Sequence, residues 1–284
     1  DTLHPAQQAM IDHHGSQCGF CTPGFVMSIA ALQLDVHHGD SIQTPDREQI
    51  DQQLAGNLCR CTGYGPIIEA ARQASTQPLP DYWSRQQTAV HSLLGQWQKQ
   101  HETLHVECAS GLFAAPRTEA ELVTYLSDQH SPPTLLAGAT DIGLWITKQG
   151  RQLATLLYLG QISSLKTVHR REDELEIGAA VSLQQAEPEL TRLSPDLGLL
   201  LRRFGARQVR SQGTLGGNIA NGSPIGDLPP ALVALGATLR IGCANGQRKI
   251  PLEDFFVDYG QQDLADNEYV ASVVLPAHPQ PHFR

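Results

Sequence analysis

The sequence predicts an α+β protein, with a small helical domain followed by a larger domain of mixed helices and strands. Helix-start signals cluster in the first 74 residues, and helical and strand patterns alternate from about residue 112 onward. Between them, residues 75–111 are rich in Gln, Ser, Thr and Pro, as linkers often are. We therefore predict a helical domain at 1–74, a linker at 75–111 and a mixed domain at 112–284.

The predicted helices of the first domain each open at a proline or just after a Thr-Pro pair. They span residues 5–14, 24–34, 45–54 and 67–74. The linker contains an amphipathic stripe that fits docking onto either neighbouring domain. The stripe consists of Ala89, Val90, Leu93, Leu94 and Trp97.

The second domain begins with Thr118, which opens a capping box and a helix. The remaining predicted elements are strand 134–137, tight turn 138–141, helix 142–149, strands 154–159, 166–170 and 175–177, helix 197–204, a long loop, helix 230–235, a hairpin turning at 245–246, and strand 269–275.

Composition narrows the functional class. The 284 residues carry a net charge of -9, which argues against a general nucleic-acid binder. No apolar run is long enough to span a bilayer, and no signal peptide is recognisable at the N-terminus. A cytoplasmic, reducing setting is therefore expected, and it disfavours disulfides.

Four cysteines form the strongest motif. Cys18 and Cys21 are spaced as Cys-x2-Cys, and Cys59 and Cys61 as Cys-x-Cys. Both pairs fall in loops between predicted helices, so two facing helical hairpins would bring the thiolates together. A [2Fe–2S] cluster is the first interpretation, zinc is its rival, and disulfides or unrelated thiols remain open. Cys108 and Cys243 are expected to be buried free thiols.

Two glycine-containing segments form a second motif. Residues 138–141 make a tight turn before a helix, and residues 213–227 make a loop rich in Gly, Ser and Asn that ends at Asp227. Such loops expose backbone amides to phosphate groups, and the carboxylate can accept a ribose hydroxyl. Neither segment is a Rossmann or Walker motif, so nucleotide binding and plain structural turns both remain open.

Positively charged and aromatic side chains precede the second loop. The positive charges either neutralise an anionic cofactor or form a solvated face; they belong to Arg202, Arg203, Arg207 and Arg210. Phe204, which lies among them, either stacks on a planar ring or packs in the core.

Taken in order, these motifs resemble the xanthine dehydrogenase family, and in particular its bacterial small subunits with iron–sulfur and FAD modules. The motifs read Cys-Gly-x-Cys-Thr-Pro-Gly, Cys-Arg-Cys-Thr-Gly-Tyr, Leu-Leu-Ala-Gly-Ala-Thr-Asp and Thr-Leu-Gly-Gly-Asn-Ile-Ala-Asn-Gly-Ser-Pro-Ile-Gly-Asp. The resemblance covers nearly the whole chain.

The resemblance implies a helical [2Fe–2S] domain and a two-lobed α/β FAD-binding domain of the vanillyl-alcohol-oxidase type. The implied cluster ligands are Cys18, Cys21, Cys59 and Cys61. The implied flavin-site residues are Leu136, Ala137, Gly138, Ala139, Thr140, Asp141 and Ile142 in the first loop, Phe204, and Thr214, Gly217, Asn218, Ser223 and Asp227 in the second.

The resemblance also implies a function. Electrons would leave a molybdopterin cofactor on a large partner subunit, cross the cluster, and reach FAD and then NAD+ during oxidation of hypoxanthine or xanthine. The expected assembly is an α2β2 heterotetramer, with no catalytic acid or base on this chain. An aldehyde oxidoreductase or an aromatic-CoA reductase subunit is the alternative, and a zinc-stabilised binding module is the non-enzymatic rival.

Three departures from the family pattern stand out. No Cys-x4-Cys-x2-Cys motif marks a second cluster, and the sequence stops about where a C-terminal lobe is expected to begin, so the chain is expected to be a fragment. Ala139 also stands where glycine is frequent, which requires its φ angle to be negative.

Overall fold

The computed structural model describes residues 2–38, 41–99, 102–127 and 132–278. The chain divides into two compact units, Asp1–His101 and Glu102–Arg284. No helix in these described ranges is both long enough and apolar enough to cross a membrane.

The first unit is built from helices. They are α1 (Pro5–Asp12), α2 (Thr22–Val36), α3 (Arg47–Leu54), α4 (Gly65–Ser75) and α5 (Asp81–Gln98), with a short antiparallel pair, β1 (His37–His38) and β2 (Ser41–Ile42), after α2. The bounds of α1 to α4 agree with the predicted bounds to within two residues.

Local capping explains why these helices begin where they do. The Asp46 carboxylate accepts the Gln49 N–H at 2.8 Å, and the Gln49 side chain accepts the Asp46 N–H at 2.9 Å. Helices α1 to α4 then enclose one hydrophobic core, whose largest fully buried side chains are Phe25, Ile29, Ile50 and Ile67. This core holds the two inter-helix loops in place.

The predicted linker at 75–111 is largely structured. Helix α5 occupies much of it, and its apolar stripe is half-exposed, with Val90 49% and Trp97 55% accessible. The second unit begins at Glu102, before the predicted boundary at 112, because β3 (Leu104–Cys108) pairs with β4 (Gly111–Ala115). Every residue of β3 is exposed, so the prediction that Cys108 is buried is wrong.

Two larger sheets form the second unit. The first has the order β3-β4-β6-β5, in which β4, β6 (Thr155–Tyr158) and β5 (Thr134–Leu136) run parallel. The second is antiparallel with the order β10-β9-β13-β8-β7, formed by β7 (Val168–Arg170), β8 (Glu174–Gly178), β9 (Thr238–Cys243), β10 (Gly246–Pro251) and β13 (Tyr269–Pro276).

The remaining elements connect or cover these sheets. They are α6 (Glu119–Ser127), α7 (Ile142–Thr147), α8 (Leu183–Leu193), α9 (Pro195–Arg203), α10 (Arg207–Gln212), α11 (Leu215–Ala220), α12 (Leu228–Ala234), α13 (Leu252–Phe255), and the two-stranded pair β11 (Phe256–Asp258) and β12 (Gln261–Gln262).

Two hydrophobic clusters stabilise the second unit, and both include residues of β13. One cluster joins the antiparallel sheet to helices α8, α9, α11 and α12, with Leu239, Val273 and Leu275 fully buried. The other contains Leu122 of α6 and Leu157 of β6. The predicted α+β class is confirmed.

Several elements of the second unit have no counterpart among the predictions, including α8, α10, α11, α13, β11 and β12. Helix α8 has no predicted counterpart, although Ser182 and Gln185 form a capping box at its start; Pro188 lies in its interior. Helix α11 lies inside the segment predicted as a long loop. Two glycines disfavour a helix there, but Gly216 permits close packing, since a Cβ on it would lie 2.4 Å from Ala179 Cβ.

Candidate functional site

The four cysteines of the first motif lie on two loops of the first unit. Cys18 and Cys21 lie between α1 and α2, and Cys59 and Cys61 lie between α3 and α4. The thiols contact each other across the loops, Cys21 with Cys59 and Cys18 with Cys61. The structure therefore places the four cysteines in two pairs, each of which joins one loop to the other.

Hydrogen bonds to the sulfur atoms shift the acidity of the thiols. A hydrogen bond from the Thr62 side chain is the main cause that lowers the pKa of Cys59 to about 7. Burial, followed by the contact with Cys59, raises the pKa of Cys21, and the contact with Cys18 raises the pKa of Cys61. Cys59 is thus the thiol best prepared to become a thiolate ligand.

The loop after Cys59 is held by a closed set of hydrogen bonds. The Cys59 N–H donates to the Tyr64 Oη at 3.0 Å, and the Tyr64 N–H donates to Thr62 Oγ1 at 3.1 Å. Tyr64 has a φ of 68°, which is unusual for a bulky residue, and its ring packs edge-on against Phe25. Neither Thr62 nor Tyr64 was singled out from the sequence, although both belong to the Cys-Arg-Cys-Thr-Gly-Tyr motif.

The surroundings of the thiols are open and apolar. Cys18 and Cys61 are exposed, and Phe20 and Leu58 beside the cysteines are 95% and 82% accessible. A groove of about 830 Å³ adjoins the Cys18–Cys21 loop, and its lining includes Met10, Ile11, Gly19, Val26 and Met27. The loop is thus exposed on an apolar face of the first unit.

The thiols lie in two pairs rather than in one convergent set. Among the described residues, no three His, Cys, Asp or Glu side chains are grouped closely enough to hold one metal ion. Two thiol pairs match the ligand number of a [2Fe–2S] cluster, in which each iron takes two protein ligands.

The first glycine-containing loop of the second unit follows β5. Leu136 ends the strand, residues 137–141 form the turn, and Ile142 begins α7. Ala139 has a φ of 62°, so the expectation of a negative φ at this position is wrong. The turn lies against the segment before α11: a Cβ on Gly138 would lie 2.0 Å from the Gln212 carbonyl oxygen. The tight turn therefore needs left-handed backbone at Ala139, although alanine disfavours it.

The second segment supplies a different set of polar groups. Thr214 Oγ1 accepts the Gly217 N–H at 3.1 Å and so caps α11. Asn218 Oδ1 is buried without a hydrogen-bond partner, while Gly217 is exposed. Ser223 is half-buried, and Asp227 is exposed at the start of α12.

A small cavity joins the two segments. It has a volume of about 220 Å³, and its lining includes Ala137, Gly138, Ser182, Gln212 and Thr214. The unsatisfied amide oxygen of Asn218 needs a donor, since a buried polar atom without a partner is costly. These features fit a polar cofactor that lies along both segments.

Phe204 and Arg210 lie just before the second segment. Phe204 follows the end of α9, is half-buried and packs against the larger core cluster. Arg210 is 3% exposed, and its Nη1 donates to the carbonyls of Phe204 at 3.3 Å and Gly205 at 3.0 Å. Arg210 is therefore buried among carbonyl groups rather than part of a solvated basic face.

Two family models match the chain. One, described as the [2Fe-2S] binding domain, matches residues 1–72. The other, described as the FAD binding domain in molybdopterin dehydrogenase, matches residues 107–278, which is more than half of the chain. The chain belongs to the molybdopterin dehydrogenase family. It carries a [2Fe–2S] module followed by an FAD module, and the predicted resemblance and both predicted cofactors are confirmed.

Curated members of the molybdopterin dehydrogenase family include proteins similar to this chain along most of its length. Xanthine dehydrogenase of Oryza sativa subsp. japonica is 31% identical over 339 residues, and aldehyde oxidase 2 of Macaca fascicularis is 31% identical over 329 residues. Each alignment covers 96% of this chain and 24% of the relative. The chain thus spans about a quarter of the length of these relatives.

Solved structures show the same fold. Carbon monoxide dehydrogenase from Hydrogenophaga pseudoflava, in a form that lacks the Mo-pyranopterin moiety of the molybdenum cofactor, aligns with a TM-score of 0.55 and 27% identity over 58% of each chain. Quinoline 2-oxidoreductase from Pseudomonas putida 86 aligns with a TM-score of 0.54 and 25% identity over 57% of each chain. Both alignments support the α+β class.

Proposed function

We propose that this chain is the electron-transfer module of a xanthine dehydrogenase that oxidises hypoxanthine and xanthine and reduces NAD+. The observation that carries the proposal is the order of two redox modules in one chain, aligned over 96% of its length with xanthine dehydrogenase relatives. The molybdopterin cofactor would reside on a partner subunit in an α2β2 assembly. Because its thiols must stay reduced, the proposed setting is the cytoplasm.

In this proposal, Cys18, Cys21, Cys59 and Cys61 hold the cluster. The cross-loop thiol contacts support this assignment because each contact pairs a sulfur of one loop with a sulfur of the other. When bound, the cluster supplies one-electron transfer and FAD couples it to two-electron chemistry. The protein itself contributes position and polarity, and we propose no general acid or base.

The FAD site in this proposal is formed by both segments of the second unit. Residues 136–142 together with Thr214, Gly217, Asn218 and Ser223 would contact the cofactor, and Asn218 would accept a hydrogen bond from it. Asp227 would bind a ribose hydroxyl, and Phe204 would pack beside the flavin. The unpartnered Oδ1 of Asn218 and the exposed Gly217 support this placement.

Asn218 offers a direct test of the FAD site. Asn218→Ala should weaken FAD binding about tenfold, because a hydrogen bond to a buried acceptor contributes roughly 1 kcal/mol or more. Asn245→Ala, in the exposed turn between β9 and β10, is the matched control and should leave FAD binding unchanged. Flavin fluorescence during titration of deflavinated protein measures both, and equal affinities for the two variants would contradict the assignment.

Substrate choice requires the molybdenum-containing partner. We expect the reconstituted complex to oxidise xanthine and hypoxanthine with NAD+, measured by NADH formation. The alternative is a module of an aldehyde-oxidising enzyme, favoured by the 31% identity to aldehyde oxidase 2. Turnover of aldehydes without turnover of purines would favour that alternative and reject the first.

A further inference from the structure

Thr62 lies where its hydroxyl can act on one of the four thiols. Its Oγ1 is 3.2 Å from the Sγ of Cys59, within hydrogen-bond range for sulfur. The same Oγ1 accepts the Tyr64 N–H at 3.1 Å. A metal-binding thiolate carries no proton, so in that state Thr62 is the donor and Cys59 the acceptor.

The backbone fixes the Thr62 hydroxyl in this position. Tyr64 has left-handed backbone that a bulky residue rarely adopts, with a φ of 68°. Its N–H bond to Thr62, its Oη contact with the Cys59 N–H and its edge-on packing against Phe25 together oppose that strain. Such strain persists only where surrounding contacts over-determine it. The contacts of this loop thus direct the Thr62 hydroxyl toward sulfur.

We propose that Thr62 is a positioning residue that raises the reduction potential of the cluster by donating a hydrogen bond to the ligand sulfur of Cys59. This rests on the proposed function, in which Cys59 is a cluster ligand. Reduction adds one electron and therefore negative charge to the iron and sulfur atoms, and a donor to sulfur stabilises the reduced form more than the oxidised form.

The test compares the full chain with Thr62→Val and Thr62→Ser in a dye-mediated redox titration, followed by the EPR signal of the reduced cluster. Valine keeps the shape and removes the donor, whereas serine keeps the donor. At a fixed potential, Thr62→Val should show an about tenfold lower ratio of reduced to oxidised cluster, which is about 59 mV for a one-electron couple. Thr62→Ser should have the same reduction potential as the wild type.

Thr22 provides a matched control in the other cysteine loop. Its hydroxyl lies 2.7 Å from the Ser16 hydroxyl. Thr22→Val should therefore titrate with the wild type, and a shift as large as that of Thr62→Val would overturn the proposal.

Thr62→Ala guards against a variant that does not assemble. A loaded Thr62→Ala with the lowered potential supports the proposal, whereas loss of the cluster from both Thr62→Val and Thr62→Ala overturns it, because Thr62 would then be needed to hold the cluster rather than to set its potential. A loaded Thr62→Val or Thr62→Ala at the wild-type potential overturns it, as does a Thr62→Ser that shifts as far as the valine variant or loses the cluster. A wild-type chain without a cluster is a different result, because it rejects the proposed function itself.

Discussion

Ala139 has a backbone conformation that its side chain disfavours. Its φ of 62° lies in the left-handed region, which costs a residue with a Cβ about 1–2 kcal/mol. Glycine removes this cost, at the price of greater freedom in the unfolded chain. Ala139→Gly should therefore stabilise the second unit by about 1 kcal/mol, measured by urea unfolding.

Ala137 is the matched control for Ala139→Gly. It lies in the same turn but is not among the described non-glycine residues with positive φ. Ala137→Gly should destabilise by about 0.5–1 kcal/mol, since only the unfolded chain gains freedom. If both substitutions change the unfolding free energy in the same direction, strain at Ala139 is contradicted.

Arg210 gives a second prediction at the residue scale. Its guanidinium is buried, which lowers its pKa, and it donates to the carbonyls of Phe204 and Gly205. Arg210→Met should destabilise the second unit by about 2–3 kcal/mol, because charge-assisted hydrogen bonds to buried carbonyls are lost. Arg203→Met, an exposed neighbour, should change stability by less than about 0.5 kcal/mol. A similar effect of both substitutions in urea unfolding would contradict this role for Arg210.

At the scale of elements, the ion pair between Arg248 and Glu268 ties strand β10 to the turn before β13. Arg248 Nε lies 2.8 Å from Glu268 Oε1, and this hydrogen bond lowers the pKa of Glu268 from 4.5. A carboxylate with a lowered pKa stabilises the fold above its unfolded-state pKa. That contribution is lost as the pH falls through the lower, folded-state pKa.

Glu268→Gln tests the pH dependence. At pH 7 it should destabilise the second unit by about 1 kcal/mol. The difference from wild type should begin to shrink as the pH falls below about 4.5, because the carboxylate of the unfolded chain then binds protons, and it should vanish below the folded-state pKa. Asp266→Asn, an exposed neighbour on the same turn, is the control. If the difference in unfolding free energy between wild type and Glu268→Gln stays constant down to pH 3, the mechanism is contradicted.

The elements also show what the sequence can and cannot predict. Helices α1 to α4 carry their own start signals, so local chemistry locates them and the cysteine loops between them. Helix α11 contains Gly216 and Gly217, and its packing against Ala179 comes from distant sequence. Strand β3 is exposed throughout, so it lacks a buried face to reveal it. Tertiary contacts decide both of these elements.

The site residues also differ in whether local sequence or tertiary structure reveals their role. The spacing of Cys18, Cys21, Cys59 and Cys61 is visible in the sequence because it is local. The role of Thr62 depends on the direction of one hydroxyl, and the burial of Arg210 depends on the turn between α9 and α10. Neither geometry follows from residue spacing.

At the scale of the whole molecule, the chain joins two redox modules of the molybdopterin dehydrogenase family in one polypeptide. Each module has its own hydrophobic core, so each is expected to hold its cofactor by its own residues. Substitution of a cluster ligand should therefore leave the FAD content unchanged.

The most direct test of this account is the iron and acid-labile sulfide content per chain, measured together with the FAD content. The wild type should contain two irons, two sulfides and one FAD. Cys59→Ser should lose iron and sulfide while retaining FAD, and Cys108→Ser, at an exposed cysteine of the second unit, should match the wild type. One zinc per chain without iron or sulfide, or full iron retention in Cys59→Ser, would contradict the account.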